Sequence, residues 1–187
     1  NRNAGLALPL IALQYHEVKV LVELNKNTDL NIGNDANVST SEMSLLVNYV
    51  YLDTDERRRF AQVSHEYLIE QVQHTGVETL KGGSGGKVDM NFNHPVKALF
   101  WTTDGTDHLT DIKIQLNGHD RFSAQGTAYF TRQQVWKYHT GRAVEPESIG
   151  VYSFALKPEE HQPSGTCNFS RIDNAVLVLN NKTDPTE

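Results

Sequence analysis

The sequence predicts an all-β fold of the sandwich or jelly-roll type, and two observations predict it. Apolar side chains alternate with polar ones in several short stretches, a pattern that gives a strand one buried and one solvated face. Residues that favour turns separate these stretches at short intervals, as they do in sandwiches and jelly rolls. The chain has 187 residues, which is enough to bury a core without a disulfide or a metal ion.

Period-2 alternation of apolar residues occurs in three stretches, which are Val18–Leu24, where Leu21 is the one apolar residue at an alternate position, Val88–Asn93 and Ile112–Leu116. Other runs are apolar on both faces, which is typical of strands covered on two sides. These runs are Leu45–Leu52, Val96–Trp101, Ile149–Leu156 and Ala175–Leu179. We predict that one common β core is lined or flanked by Val18, Val20, Val22, Ile112, Ile114, Leu116, Val151 and Phe154.

The segments between these runs carry turn chemistry. Asn25–Thr40 is polar and rich in Asn and Asp, and Asn117-Gly118 is a dipeptide that favours a tight hairpin turn. Gln162–Gly165 is a further turn signal. The Gly/Ser stretch Gly82–Gly86 is either a natural flexible loop or an engineered linker, and the sequence leaves both readings open.

One segment predicts a short helix near residues 54–62. Asp53 can cap its N-terminus, and Glu56 follows three residues later, which is the spacing of a capping box. Apolar residues continue at helical spacing beyond Gln62, but Glu66–Gln73 is equally compatible with a strand. Periodicity alone does not decide between these alternatives.

Composition excludes several classes of function. The net charge of −6 argues against nucleic acid as the main partner, because phosphate binding needs clustered Lys and Arg. The basic cluster Arg57–Arg59 is interpreted as a solvated helix face. No apolar run approaches the roughly 20 residues that a membrane span needs, and Gly5–Leu13 is interpreted as a buried segment rather than a signal sequence. Cys167 is the single cysteine, so the chain cannot form an internal disulfide.

The sequence gives no pattern that is typical of an active site or a metal site. The eight histidines contain neither a His-x-His nor a His-Glu-x-x-His spacing, and there is no Gly-x-Ser-x-Gly elbow. The acidic pairs Glu145/Glu147 and Glu159/Glu160 stand among prolines and polar residues, which indicates solvated loops. We therefore predict no catalytic, cofactor-binding or metal-binding residue. The histidines are His16, His65, His74, His94, His108, His119, His139 and His161.

A carbohydrate-binding β-sandwich module is the main alternative function. Leu116–Phe122 and Trp136 supply the polar and aromatic side chains that such a site uses. The competing interpretation is that Asp120 and Arg121 organise a turn and that Trp136 packs at a rim. Three glycosylation sequons, at Asn37, Asn168 and Asn181, would matter only in a secreted protein.

Several sequence blocks resemble segments of the major capsid proteins of nucleocytoplasmic large DNA viruses, such as those of chlorella viruses and mimivirus-like viruses. The most specific block is Gln162-Pro-Ser-Gly-Thr-Cys-Asn-Phe-Ser-Arg-Ile-Asp-Asn174. The blocks follow the order of the family and span nearly the whole chain. The others are Gly5–Val18, Asp55–Gln62, His65–Gln71, Asn91–Pro95, Gln115–Phe122 and Tyr152–Pro158.

The resemblance implies an eight-stranded antiparallel jelly roll over residues 1–187, with a short helix followed by a strand near Glu66–Gln73. It implies the second of two jelly rolls, with the first one absent from this chain. The segment between Trp101 and Ile112 is short for the family, whose loops at this place can form outer towers.

The same resemblance implies a structural function. The chain would be a non-enzymatic part of a trimeric, pseudo-hexagonal capsomer in an icosahedral virion, assembled in the host cytoplasm. Its partners would be other copies of the capsid protein, the N-terminal jelly roll, neighbouring capsomers and minor capsid proteins, with no nucleic acid, cofactor or membrane span.

Overall fold

The computed structural model describes residues 3–23, 43–79, 85–102, 109–142 and 149–181. The chain divides into two compact units, Asn1–Glu70 and Gln71–Glu187, and the single jelly-roll domain over residues 1–187 stays a prediction. The polar segment Asn25–Thr40 and most of the Gly82–Gly86 stretch lie outside the described residues.

The first unit contains the predicted helix, α1, over Thr54–Gln62. Asp53 caps it as predicted, since its Oδ1 accepts a hydrogen bond of 2.9 Å from the Glu56 N–H. The basic residues Arg57–Arg59 are exposed on this helix, as expected of a solvated face. A 3₁₀ turn over Ala4–Leu6 is the other helical element of this unit.

Two tertiary hydrogen bonds hold the chain that follows α1 within the first unit. An imidazole nitrogen of His65, Nε2, lies 2.8 Å from the Phe60 carbonyl oxygen. The Tyr67 hydroxyl donates to the Ala7 carbonyl over 3.1 Å. Neither hydrogen bond belongs to a ladder between paired strands. The predicted strand near Glu66–Gln73 is wrong, because these residues have no regular secondary structure.

Two other predicted strands of the first unit are also wrong. Val18, Val20 and Val22 are exposed and lie outside any strand. The run Leu45–Leu52 has no regular structure either. Alternating apolar residues give a segment one apolar face. A stable strand also needs a neighbouring strand that pairs with its backbone groups and a layer of structure that covers this face. The described residues of the first unit contain no such neighbour.

The second unit contains nine strands within its described residues, four of them only two residues long. They are β1 (Gly86–Asp89), β2 (Pro95–Val96), β3 (Ala98–Thr102), β4 (Leu109–Leu116), β5 (His119–Asp120), β6 (Gln125–Gly126), β7 (Ile149–Ser153), β8 (Cys167–Asn168) and β9 (Ala175–Asn181). All the pairings are antiparallel. The main sheet has the order β1-β9-β4-β5, with β6 also beside β4, while β2–β8 and β3–β7 form separate pairs.

Short helical elements connect these strands. A π-helical turn over Tyr129–Gln133 continues into α2 over Gln134–Tyr138, and a 3₁₀ turn covers Phe169–Arg171. The predicted tight turn at Asn117-Gly118 is confirmed, because both residues have positive φ, 52° and 78°. Positive φ at both central positions is the conformation that a two-residue hairpin turn of type I′ requires.

The core of the second unit lies on one face of the main sheet. Ile112 and Ile114 of β4 are buried, and β9 supplies Leu177 and Leu179 opposite them. Aromatic rings complete the core, including Trp101 and Phe130, whose centroids are 5.3 Å apart. The predicted core is confirmed in this unit for Ile112 and Ile114, which are buried, and for Leu116 and Phe154, which pack partly buried against it. Val151 is buried too, but it lies on the other side of the β3–β7 pair from Trp101 and outside this core.

Candidate functional site

The histidines and acidic residues do not form a metal site within the ranges that the structure describes, since no group of three or more potential ligands occurs there. His108 lies outside those ranges. No helix among the described residues is long and apolar enough to cross a membrane. The absence of catalytic, cofactor-binding and metal-binding residues stays a prediction for the whole chain.

The polar turn between β4 and β5 uses its side chains to hold the fold. Asn117 Oδ1 accepts from the backbone N–H groups of Asp173 and Asn174, over 2.9 and 3.3 Å. Asp120 accepts from Gln115 Nε2 over 2.7 Å and from Lys113 Nζ over 3.0 Å. The hydrogen bond from Gln115 is the largest cause that lowers the pKa of the Asp120 carboxyl below its usual value, and the hydrogen bond from Lys113 is the second. The contacts favour the structural interpretation of Leu116–Phe122 over a carbohydrate site.

Trp136 and Arg121, the two large side chains of the predicted carbohydrate site, differ in their surroundings. Trp136 is 85% exposed, so the expectation that it packs at a rim is wrong. Arg121 hydrogen-bonds the Tyr152 hydroxyl. Burial raises the pKa of Tyr152, and Arg121 opposes that rise. Arg121 is itself exposed but interacts with the buried Tyr152, whereas Trp136 is available at the surface.

A hydrogen-bonded cluster, here called the clasp, is formed by His139, Thr140 and Glu159. The Glu159 carboxylate accepts from the Thr140 hydroxyl over 2.6 Å, from the Thr140 N–H over 3.0 Å and from His139 Nδ1 over 3.1 Å. The Thr140 hydroxyl, then the Thr140 N–H, and more weakly His139 lower the pKa of Glu159. The clasp ties the C-terminus of α2, where the His139 N–H bonds to Val135, to the turn after β7.

The environment of His139 fixes its tautomer. An ionised carboxylate can only accept, so Nδ1 carries the proton that Glu159 receives. The side chain is only 10% exposed, and Nε2 is buried without a hydrogen-bond partner among the described residues. The ring meets the Phe100 ring edge-on, with 5.6 Å between centroids.

Sequence reasoning missed the clasp. Glu159 was interpreted as part of a solvated loop, and His139 lies 20 residues away from it. No spacing motif connects residues that far apart, because only the pairing of β3 with β7 and the position of α2 bring them together. Chemically, the clasp can position neighbouring side chains.

Exposed apolar side chains are the most prominent surface feature of both units. The first unit exposes Val18, Val20 and Val22 together with most of Leu45–Tyr51. On the folded elements of the second unit, Phe100 and Trp136 are 63% and 85% exposed. Large exposed apolar areas mark sites of contact with other protein surfaces. These exposed apolar areas are therefore candidate contact surfaces.

Family models match almost the whole chain. A model described as large eukaryotic DNA virus major capsid protein matches residues 56–108 and 102–187. A second model, described as major capsid protein N-terminus, matches residues 1–53. The change from one model to the other falls at the start of α1.

Curated relatives agree with these models. The chain is 48% identical to the major capsid protein of Pyramimonas orientalis virus over 95% of the chain and 51% of that protein. It is 41% identical to the major capsid protein of Paramecium bursaria Chlorella virus 1 over 98% of the chain and 53% of that protein. The chain thus spans about half the length of these relatives.

A solved structure has the same fold. The chain aligns with a quasi-atomic model of the PBCV-1 virus capsid over 100% of its own length and 57% of that chain, with a TM-score of 0.76 and 35% identity. The predicted all-β jelly-roll fold is confirmed by this match, while the predicted number of eight strands is not. The resemblance deduced from the sequence blocks is confirmed as well. This chain belongs to the family of the major capsid proteins of large eukaryotic DNA viruses.

Proposed function

We propose that the chain is a structural component of an icosahedral viral capsid and not an enzyme. The observation that carries this proposal is the alignment of the entire chain with a virus capsid protein at 35% identity and a TM-score of 0.76. The mechanism is geometric. A stiff antiparallel sheet with a packed core fixes the shape of the subunit, and its exposed surfaces contact other subunits.

The second unit is proposed to be the jelly roll that was predicted for the chain. The first unit is proposed to lie where a preceding jelly roll meets it. Two observations support this assignment: residues 1–53 match the family model for the N-terminus, and Val18, Val20 and Val22 form an apolar alternation with no cover in the described residues. In the whole protein, strands of the N-terminal jelly roll would cover these side chains.

The partners follow from the same proposal. Three copies would form a pseudo-hexagonal capsomer, and capsomers would contact one another and minor capsid proteins in the virion, after assembly in the host cytoplasm. The net charge of −6 supports protein surfaces rather than nucleic acid as partners. Exposed aromatic residues such as Trp136 support the same choice, because aromatic side chains are enriched in protein interfaces.

The test is the assembly state of the complete natural protein that carries this sequence. We expect light scattering coupled to size-exclusion chromatography to give the mass of a trimer, and electron microscopy to show particles with a hexagonal outline. A protein that stays monomeric at every concentration would contradict the proposal.

A further inference from the structure

One edge of β7 faces away from β3. In an antiparallel pair, residues whose N–H and C=O groups bond to the partner strand alternate with residues whose groups point away from it. The Phe154 N–H donates to the Lys97 carbonyl over 2.9 Å, directly after the paired residues of β3 and β7. The N–H of Ser153, one position earlier, therefore points to the opposite edge of β7. In the described part of the chain, no strand pairs with β7 at that edge.

A side-chain amide occupies this edge where a neighbouring strand would lie. Gln134 Oε1 accepts a hydrogen bond of 3.2 Å from the Ser153 N–H, so the amide oxygen does what the backbone carbonyl of a paired strand would do. Gln134 and Ser153 are both buried, with 4% and 8% exposed. Loss of the amide oxygen would leave a buried backbone N–H without this acceptor, which is unfavourable.

A second hydrogen bond orients the Gln134 amide. Its Nε2 donates to the Tyr129 hydroxyl over 2.8 Å, which leaves Oε1 directed at Ser153. A backbone N–H can only donate, so the orientation with the oxygen toward Ser153 is the one that satisfies both partners. The amide therefore has one fixed orientation at the edge of β7.

The local helix geometry explains why a polar side chain points inward here. The π-helical turn Tyr129–Gln133 buries Phe130 and Thr131, and Gln134 follows as the first residue of α2. Phe130 contacts Trp101 of β3 within the core, so the segment that carries Gln134 is anchored beside the β3–β7 pair. π-helical turns are rare and occur often at functional sites. This one brings a polar group to the edge of a strand.

We propose that Gln134 closes this edge of β7 to strand addition, in which an extended segment of another polypeptide pairs with a free strand edge. An open edge presents N–H and C=O groups that template such pairing. Gln134 occupies the N–H of Ser153, and the helical segment Tyr129–Tyr138 packs against β7. A covering helix is one of the ways in which proteins protect an edge. The role goes beyond the proposed capsid function, because it concerns the pairings that the folded subunit avoids.

Gln134→Met tests this role in the 187-residue chain. Methionine keeps the length and bulk of the side chain but has only a weakly accepting sulfur, so the Ser153 N–H loses its acceptor. Hydrogen–deuterium exchange, measured by mass spectrometry on peptides that contain Ser153, should become roughly tenfold faster at that amide. Incubation below the melting temperature should also give more thioflavin T fluorescence, which reports strands paired between chains.

The matched control is Thr131→Val. It removes a hydroxyl that donates to the Thr127 carbonyl over 3.2 Å and that belongs to a buried residue of the same helical segment, but it leaves the hydrogen bond between Gln134 and Ser153 in place. Both variants should melt at a lower temperature than the unmodified chain, whereas only Gln134→Met should raise exchange at Ser153 and thioflavin T fluorescence. Incubating each variant at the same interval below its own melting temperature separates an open edge from general destabilisation.

Tyr129→Phe is a milder change for the case in which Gln134→Met does not fold, since it removes only the hydroxyl that orients the amide. It should raise exchange at Ser153 by a smaller factor. Unchanged exchange at Ser153 in the variants that fold, or thioflavin T fluorescence no higher than that of Thr131→Val, overturns the proposal. None of these measurements depends on capsid assembly, so the proposed function stands or fails separately.

Discussion

At the scale of single residues, close contacts decide which positions tolerate change. Gly150 of β7 lies opposite Trp101 of β3, and the indole covers the place where a side chain at position 150 would start. A Cβ there would come within 2.3 Å of the ring. Since the ring is held against Phe130, it has little room to move.

Gly150→Ala should therefore lower the free energy of unfolding by about 1–3 kcal/mol, the usual cost of overpacking a core. Urea denaturation measures this difference. Gly141→Ala is the matched control, because a Cβ at that position meets nothing within 4 Å. Equal stability of the two variants would mean that Trp101 does not occupy the position described.

The Glu159 carboxylate gives a second prediction at this scale. Its pKa is lowered by the bonds from Thr140 and His139, so the clasp stabilises the fold at pH values above the ordinary pKa of Glu. That stability is lost as the pH falls through the lowered pKa. Glu159→Gln should thus melt at a lower temperature than the unmodified chain at neutral pH, and the difference should shrink in acid.

The control for Glu159→Gln is Glu160→Gln. Glu160 forms a largely exposed ion pair with Lys157, and such pairs contribute little to stability. Thermal melts from neutral to acidic pH compare the variants. A constant difference between Glu159→Gln and the unmodified chain at all pH values would show that ionisation of Glu159 does not contribute.

At the scale of elements, strands were predicted correctly where an alternating segment and the strand that pairs with it both lie in the second unit. The alternation of β4 is matched by β9, so Ile112 and Ile114 are buried as predicted. The helix α1 was predictable from the Asp53 cap because capping is a local interaction. The strand predicted from the same alternation at Val18, Val20 and Val22 is absent. An alternating pattern indicates an apolar face, but it does not show whether another strand is present to pair with the segment and cover that face.

The contrast between β4 and the valine segment can be measured. Ile114 has an exposed fraction of 0%, and Ile114→Ala should cost about 2–5 kcal/mol of stability in the 187-residue chain. Val20→Ala should change it by less than about 0.5 kcal/mol, as is usual for exposed positions. Urea denaturation of both variants measures these two changes in the free energy of unfolding. A large loss for Val20→Ala would place the valine segment in a core after all.

The clasp shows the limit of prediction for the site. Its three residues are ordinary surface types in the sequence, and their significance comes from the β3–β7 pairing and from the position of α2. Trp136 was noted as a binding residue from its type alone, but its exposure could not be read from the sequence. Conversely, Asp120 and Asn117 seemed equally suited to a ligand, and their internal hydrogen bonds give them a structural role.

At the scale of the whole molecule, many large apolar side chains of the first unit are exposed, and such surfaces favour association with other apolar surfaces. Leu8 and Leu10 of the predicted buried segment Gly5–Leu13 are exposed, which corrects the expectation of burial. The 187-residue chain should therefore fold but self-associate more readily than the complete protein. The cause is the hydrophobic effect, about 25 cal/mol for each Å² of apolar surface removed from water.

Leu8→Ser/Leu10→Ser should reduce this association in the 187-residue chain without changing the melting temperature, because neither side chain is buried. Light scattering and thermal melts measure the two properties. A fall in melting temperature would instead indicate that the segment packs against its own unit. If neither measurement changes, Gly5–Leu13 contributes to neither packing nor association.

The order of the main sheet also constrains how the protein is made. β9, the last strand of the sheet in the chain, lies between β1 and β4, so these two strands have no common neighbour until residues 175–181 have left the ribosome. At about 5–20 residues per second, residues 117–174 take several seconds to synthesise after β4. During that time β4 lacks the strand that pairs with most of its length. Chaperones that bind nascent chains therefore have a defined period in which to act on this protein before its sheet can close.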